Sequence, residues 1–346
     1  MLARSTMKVL YVLVSSESDY YYEQALLSVL SLKNVMPTSQ ISMLVDDVTD
    51  KNLVGNRSKI KEYIDEYKVV DLDESMSPMI RSRFLKTSMR NLIDGDFLYV
   101  DVDTVWAEPY DETDFTDDIM GVPDAHCELG EHPCKDWILD TLDKLNYNTN
   151  VLWYINGGVM FIRDNSYTRG FFARWHDFWL ETCKKDVFID QPSLNQVNYA
   201  CNLAIKLLPD SYNSQIGRSI GKLAKARIIH YFSSWENDKK FRPSYKFLQK
   251  VFLKKVRTNY LDKEVLYYLE NPKEAFDSNT FIIGDEMAMF WQSKTWNDLV
   301  LLQQSNKSED VRLYKILIKM LKYVPKAYYK IIPYLYPFYR CFKKEK

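Results

Sequence analysis

Residues 97–106, Phe-Leu-Tyr-Val-Asp101-Val-Asp103-Thr-Val-Trp, decide the fold of this chain. Four apolar residues read as a buried strand that ends in two carboxylates spaced by one residue. Strand side chains alternate between faces, so Asp101 and Asp103 point the same way while Val100 and Val102 point into the core. Two carboxylates leaving a buried strand are hard oxygen ligands suited to Mg²⁺ or Mn²⁺ that carries a phosphate-bearing substrate. The spacing alone says little, because Asp71-Leu-Asp73 and Asp94-Gly-Asp96 share it. The apolar strand before Asp101 sets this pair apart from an exposed turn.

Working outward, the chain alternates strand and helix up to about residue 235. Strands are expected at Val9–Val14, Ile41–Val45, Lys68–Leu72, Phe97–Val102, Asp118–Val122, Trp153–Ile162, Leu203–Leu208 and Ala226–Phe232. Helices are expected at Tyr22–Asn34, near Leu53–Tyr67, at Ile80–Ile93 and at Tyr167–Lys184. This alternation predicts an α/β fold with a mixed, mainly parallel sheet flanked by helices on both faces. Residues 7–240 form the expected catalytic domain and 241–346 a helical C-terminal extension. The first glycine is Gly55. No glycine-rich loop therefore follows the first strand, which excludes a dinucleotide fingerprint and a P-loop there.

The 346 residues suffice for one large core, or a core domain plus an extension. Net charge is −1, but residues 311–346 hold ten Lys or Arg against one Glu, which leaves residues 1–310 acidic. That distribution excludes a nucleic-acid binder of the usual basic kind, so no nucleic-acid partner is expected. Five scattered cysteines do not suggest a disulfide framework and point to a reducing cytosol.

The helix Ile80–Ile93 is amphipathic, with Ile80, Phe84, Leu85, Met89 and Leu92 on one face and Arg83, Lys86 and Arg90 on a narrow opposite stripe. The tight Asp94-Gly-Asp96 turn makes it antiparallel to the next strand, so its N-terminal end lies beside Asp101 and Asp103. At 1.5 Å per residue the helix is ~21 Å long. Arg90 is then remote, and Arg81, Arg83 and Lys86 are the candidate contacts to a diphosphate or sugar, unless the stripe is only a solvated basic face.

Four stretches occur in a telling order: the carboxylate strand, Asn156-Gly-Gly-Val-Met-Phe161, Asp190-Gln191-Pro-Ser-Leu-Asn195 and Ile228-Ile-His230-Tyr-Phe232. Together they resemble family 8 glycosyltransferases and their bacterial surface-glycan relatives, over roughly residues 8–235. The resemblance implies a GT-A type, Rossmann-like fold, a nucleotide-sugar donor (a UDP-sugar) and Mn²⁺ or Mg²⁺, with hexose transfer to a glycan or lipid-linked acceptor under retention. It implies Asp101, Asp103 and His230 as metal ligands. It also implies Asn156 and Asp190 as hydrogen-bonding groups for the donor sugar, and Gln191 as the side chain facing the anomeric carbon. Asp101, Val102, Asp124 and Gly157 fall among its substrate-binding positions. The chain departs from the family at Ser15 and Ser16, where many relatives carry Asp, so base recognition falls to these serines and Tyr20. It departs again after His230, where the phosphate-contacting lysine becomes Lys239 or Lys240.

Two other readings compete. Asp101-Val-Asp-Thr-Val also fits the nucleophile motif of haloacid-dehalogenase-like phosphatases, with Asp101 phosphorylated and Asp285-Glu286 as the later acidic motif. A noncatalytic nucleotide-sugar-binding protein is the third possibility. His126-Cys127 and His132-x-Cys134 are too closely spaced for a usual zinc site and read as a loop over the active site.

Beyond residue 310, Arg312, Lys315, Lys319, Lys322, Lys326 and Lys330 interleave with Leu, Ile and seven tyrosines. This basic aromatic tail suits an anionic membrane surface, the other reading being a C-terminal helix packed on the catalytic domain with solvated lysines. The expected location is cytoplasmic, peripheral on the inner face of the cell membrane.

Overall fold

The computed structural model describes residues 7–218, 220–232, 244–277 and 294–320. They belong to two compact units, Met1–Thr280 and Phe281–Lys346. The first unit is built on a seven-stranded sheet. In chain order its elements are β1 (Lys8–Leu13), α1 (Tyr21–Val35), β2 (Gln40–Asp46), α2 (Asp47–Asn52), β3 (Glu66–Val70), α3 (Pro78–Leu92) and β4 (Phe97–Val100). Then come β5 (Thr104–Trp106), β6 (Ile119–Pro123), α4 (Lys135–Lys144), β7 (Ile155–Ile162), α5 (Ser166–Cys183) and α6 (Gln191–Ala200). The unit closes with β8 (Lys206–Leu207), β9 (Ser214–Gln215), β10 (Ile228–His230), α7 (Lys250–Asn259) and α8 (Lys263–Glu270).

The sheet order is β3-β2-β1-β4-β7-β6-β8, and a small second sheet runs β5-β10-β9. β1 pairs in parallel with β2 and β4, and β2 with β3, while β7 runs antiparallel to both β4 and β6. The result is the mixed, mainly parallel α/β sheet expected from the alternation. Odd and even positions of β1 divide between two cores. Val9, Tyr11 and Leu13 pack with α1, the second sheet, α7 and α8, while Leu10 and Val12 pack with α3, α5 and α6. Burial on both faces explains why the central strands read as continuous apolar runs.

Several expected elements shift. The helix expected near Leu53–Tyr67 is a 3₁₀ stretch, Gly55–Tyr63, behind the short α2. α4 and α6 were not anticipated. Residues 244–277 contribute Tyr245, Phe247, Leu253, Val256 and Val265 to the same core as β1 and α1, so the compact unit continues past residue 240. The carboxylate strand ends at Val100, two residues early. Asp101 and Asp103 therefore sit on a bend between the two sheets rather than on a strand. That bend is fixed by Asp101 N–H donating to Gly158 O at 2.7 Å and by Thr104 Oγ1 donating to Asp101 O at 2.8 Å.

In the second unit α9 spans Lys294–Gln304, and residues 308–320 are also helical. No helix among the described residues is long and apolar enough to cross a membrane.

Candidate metal and donor site

The bend after β4, the start of β7, the N-terminus of α6 and the end of β10 converge on one cavity of about 450 Å³. Ser28 and Ser31 of α1 bond Thr104 Oγ1 and Trp106 N–H, each at 2.9 Å, which docks β5, the strand after the bend, on the helix. The register of β6 on β7 jumps between Gly121, opposite Met160, and Val122, opposite Asn156. Residues 157–159 are thus left out of that pairing, an irregularity that aims Asn156 and both glycines at the cavity.

Asp101, Asp103 and His230 each bring one ligand atom within 4.8 Å of the others, the one such group among the described residues. His230 Nε2 lies 3.3 Å from Asp103 Oδ1. Two carboxylate oxygens and an imidazole nitrogen suit Mn²⁺ or Mg²⁺. The fit is also steric, because a Cβ on Gly158 would lie 2.3 Å from His230 Cε1 and 2.8 Å from Nδ1. A missing side chain therefore makes room for the ring. A bend, and not strand alternation, brings the two acids beside His230, and Val102 between them lines the cavity instead of pointing only into the core.

Cations and acids pair across the cavity. Lys86 Nζ sits 3.1 Å from Asp101 Oδ1 and 3.4 Å from Asp190 Oδ2, and Arg83 Nε sits 2.8 Å from Asp190 Oδ1. Burial pushes the Asp190 carboxyl up, but Lys86 and Arg83 outweigh it and hold it below the ordinary carboxylate range. Tyr99 donates its phenol proton to Asp101. Its burial, together with the neighbouring Asp101 charge, keeps that phenol protonated. Asp190 occupies the N-cap position of α6, yet its side chain caps nothing. It turns instead to the two cations.

A second polar group stands behind the first. Asp124 is buried and accepts from Asn156 Nδ2 at 3.2 Å and from Gln191 Nε2 at 3.2 Å. Cys134 N–H donates to His132 Nδ1 at 2.9 Å, so Nε2 of a neutral His132 carries the proton that faces Asp124 Oδ2 at 3.3 Å. His132 thus completes this hydrogen-bonded group.

The remaining expected site residues divide. Arg83, Lys86, Val102, Asn156, Gly157, Asp190 and Gln191 line the cavity. Arg81 does not, because it is buried in an ion pair with Asp46 and also donates to Met76 O. Val14 and Tyr21 reach the wall, whereas Ser15 and Ser16 bind Asp19 just beyond it, at 2.6 and 2.8 Å. Tyr20 lies under the Arg257 guanidinium, 4.3 Å from its ring centre. Arg257 also bonds Glu23 and the Glu17 carbonyl, so α7 straps down the loop after β1. Arg90, at the far end of α3, is fully buried against Asp164 and not a solvated charge. Lys239, Lys240 and Asp285-Glu286 lie outside the described residues.

The sequence matches no protein-family model and no curated protein. Among solved structures, the chain is similar to galactosyltransferase LgtC in complex with donor and acceptor sugar analogs, with a TM-score of 0.48 and 13% identity over 83% of this chain and 99% of that one. An active-site mutant of LgtC gives 0.46 and 11% over 83% and 99%. The apo form of mouse xyloside xylosyltransferase 1 gives 0.44 and 13% over 65% and 97%.

Proposed function

We propose that this chain is a metal-dependent glycosyltransferase of GT-A type, moving a hexose from a nucleotide-sugar, a UDP-sugar, to a glycan or lipid-linked acceptor with retention. One observation carries the reading: a single cavity gathers an Asp-Asp-His cation site and the side chains Asn156, Asp190 and Gln191. When bound by Asp101, Asp103 and His230, Mn²⁺ or Mg²⁺ supplies Lewis-acid stabilisation of the nucleoside diphosphate leaving group. Arg83 and Lys86 add fixed positive charge along the same wall. Asp190, kept ionised by them, and Asn156 accept and donate hydrogen bonds to sugar hydroxyls and orient the ring. Gln191 is anchored through its amide nitrogen to Asp124, which leaves its carbonyl oxygen to face an electron-poor anomeric carbon. The bond from that carbon to phosphate breaks as its bond to the acceptor oxygen forms. The acceptor proton passes to the departing phosphate oxygen, so no dedicated base is required.

The test is donor hydrolysis by the purified chain across a panel of nucleotide sugars with Mn²⁺. Turnover of one or a few donors, lost in excess EDTA, is the expected result. Full activity in EDTA, or hydrolysis of simple phosphate esters in place of nucleotide sugars, would refute the reading.

We further propose that the second unit rests on the anionic inner surface of a membrane, next to a lipid-linked acceptor. On the helical stretch 308–320, exposed Leu313, Ile316 and Met320 run alongside Arg312, Lys315 and Lys319. These two stripes at spacings of three and four suit a helix lying in an interface. The rest of the basic tail, residues 321–346, lies outside the described residues.

A further inference from the structure

Asn213, in the turn before β9, is fully buried and sits between two residues of the cavity. Its Nδ2 donates to Asn156 Oδ1 at 3.0 Å, and its Oδ1 lies 2.9 Å from His230 Nδ1. Ordinarily the two ends of an amide are interchangeable, but here a backbone group decides. Gly158 N–H donates to Asn156 Oδ1 at 2.9 Å, and a backbone N–H has no other role. Asn156 Oδ1 is therefore an acceptor, so Asn213 must present its NH₂ to it. The end of Asn213 left for His230 is a carbonyl oxygen, which only accepts. A neutral His230 must then carry its proton on Nδ1, with the lone pair on Nε2, the nitrogen that faces Asp103.

We propose that Asn213 is a positioning residue that locks His230 in the tautomer able to bind a cation through Nε2 and ties that ligand to Asn156. The cation half of this proposal rests on the metal-dependent reading above. The direction of every bond in the chain His230–Asn213–Asn156–Asp124–Gln191 is consistent. Asn156 Nδ2 donates to Asp124, and Asp124 accepts from Gln191. The ring that would hold the metal and the amide offered to the sugar are thus set by one buried network. Partners that fix the tautomer of a metal-binding histidine commonly govern affinity about 10–100-fold.

The experiment uses the full chain with Mn²⁺ as the probe. Mn²⁺ titration followed by electron paramagnetic resonance, with thermal unfolding in parallel, compares wild type, His230→Ala, Asn213→Ala and Asn213→Asp. Asn213→Ala is expected to weaken Mn²⁺ binding at least about tenfold. Asn213→Asp still offers an oxygen to the Nδ1 proton and is expected to keep affinity near wild type, while its second oxygen opposes Asn156 and raises the KM for donor. Wild-type Mn²⁺ affinity in Asn213→Ala, with only the unfolding temperature lowered, would overturn the proposal; so would equal weakening in both variants. Imidazole nitrogen resonances of the wild-type protein give an arm that needs neither metal nor folded variants. A proton on Nε2 of neutral His230 defeats the assignment. Should wild type show the Nδ1 proton yet bind no Mn²⁺ with or without UDP, the metal-dependent reading fails while the tautomer lock stands.

Discussion

Lys86 places its ammonium nitrogen 3.1 Å from Oδ1 of Asp101, one of the three side chains that would hold a cation. The same nitrogen lies 3.4 Å from Asp190 and is almost entirely buried. An internal cation therefore offsets two acids when no metal is bound. Removing one partner of a buried ion pair costs ~3–5 kcal/mol. Here Asp101 is partly exposed and Arg83 still pairs Asp190, so the discounted expectation for Lys86→Met is about 2–3 kcal/mol. Denaturant unfolding measures it. The same variant should bind Mn²⁺ more tightly without nucleotide, because a like charge beside the ligands is gone. Weaker Mn²⁺ binding would show that Lys86 supports the cation site.

Asp103 is held on its bend by the backbone, through Tyr231 N–H donating to Asp103 O at 3.2 Å. Its side chain is thus dispensable for the turn. Asp103→Ala should keep the wild-type fold and lose turnover by at least about a thousandfold, the equivalent of ~4 kcal/mol of Lewis-acid stabilisation. Circular dichroism and a donor-hydrolysis assay check the two halves. Activity within tenfold of wild type would remove the metal from the mechanism.

The two adjacent glycines of β7 should respond differently to the same change. A Cβ on Gly157 meets its neighbours at 3.5 Å or more, whereas one on Gly158 meets the His230 ring at 2.3 Å and Asn156 Oδ1 at 2.9 Å. Gly158→Ala must push the ring aside, which costs about 1–3 kcal/mol as overpacking and displaces a metal ligand. Gly157→Ala should fold like wild type and alter mainly the KM for donor, because its Cβ would border Lys86 and Asp190. Unfolding temperatures and Mn²⁺ affinities of the pair discriminate. Equal behaviour would mean that His230 has room to spare.

The parts legible in the sequence were those governed by local pattern. Largely apolar runs gave β1, β2, β4 and β7 because both faces of these strands are buried. The acids after β4 announced the cavity. α6 was missed because Gln191-Pro192 reads as a break, although Pro near the first turn of a helix starts one. Arg81 reads as a contact beside Arg83, although it lies about 200° away around the helix and off the stripe of Arg83, Lys86 and Arg90. Its partner Asp46 shows where it turns. Asn213 carried no sequence signal as a site residue, and His132 stood out only as part of a loop over the active site. Asn213 lies in a polar stretch that reads as a turn, and its role comes from partners far away in the chain.

The helical stretch 308–320 leads to a prediction independent of the cavity. Reversing the charge of Arg312, Lys315 and Lys319 together removes three basic groups, each worth about 1 kcal/mol near an anionic surface. The triple variant to Glu should lose at least about 100-fold in affinity for phosphatidylserine vesicles at low salt, while soluble-donor hydrolysis stays at wild-type level. Sedimentation with vesicles measures binding. Unchanged binding would place the contact elsewhere.

Acid should expose the buried network of Asp124. Burial pushes this carboxyl up, but the hydrogen bond from His132, the charge of Arg218 and the Gln191 amide outweigh it, leaving the native group below its ordinary range. The unfolded chain, with a carboxyl near pKa 3.9, binds a proton before the native state does. The stabilisation is therefore complete above about pH 4–5 and is lost as pH falls through the lower native value. Asp190 adds to the same trend, since its carboxyl is also held low. Asp124→Asn should be less stable at pH 7, because one of its amide hydrogens faces the donors of Asn156, Gln191 and His132. It should also have a flatter stability profile below pH 4, because the titrating group is gone. Denaturant unfolding between pH 3 and 7 tests the sign. An acid slope in Asp124→Asn as steep as in wild type would mean that this carboxyl does not govern the acid limb and that the loss of stability begins at other acids.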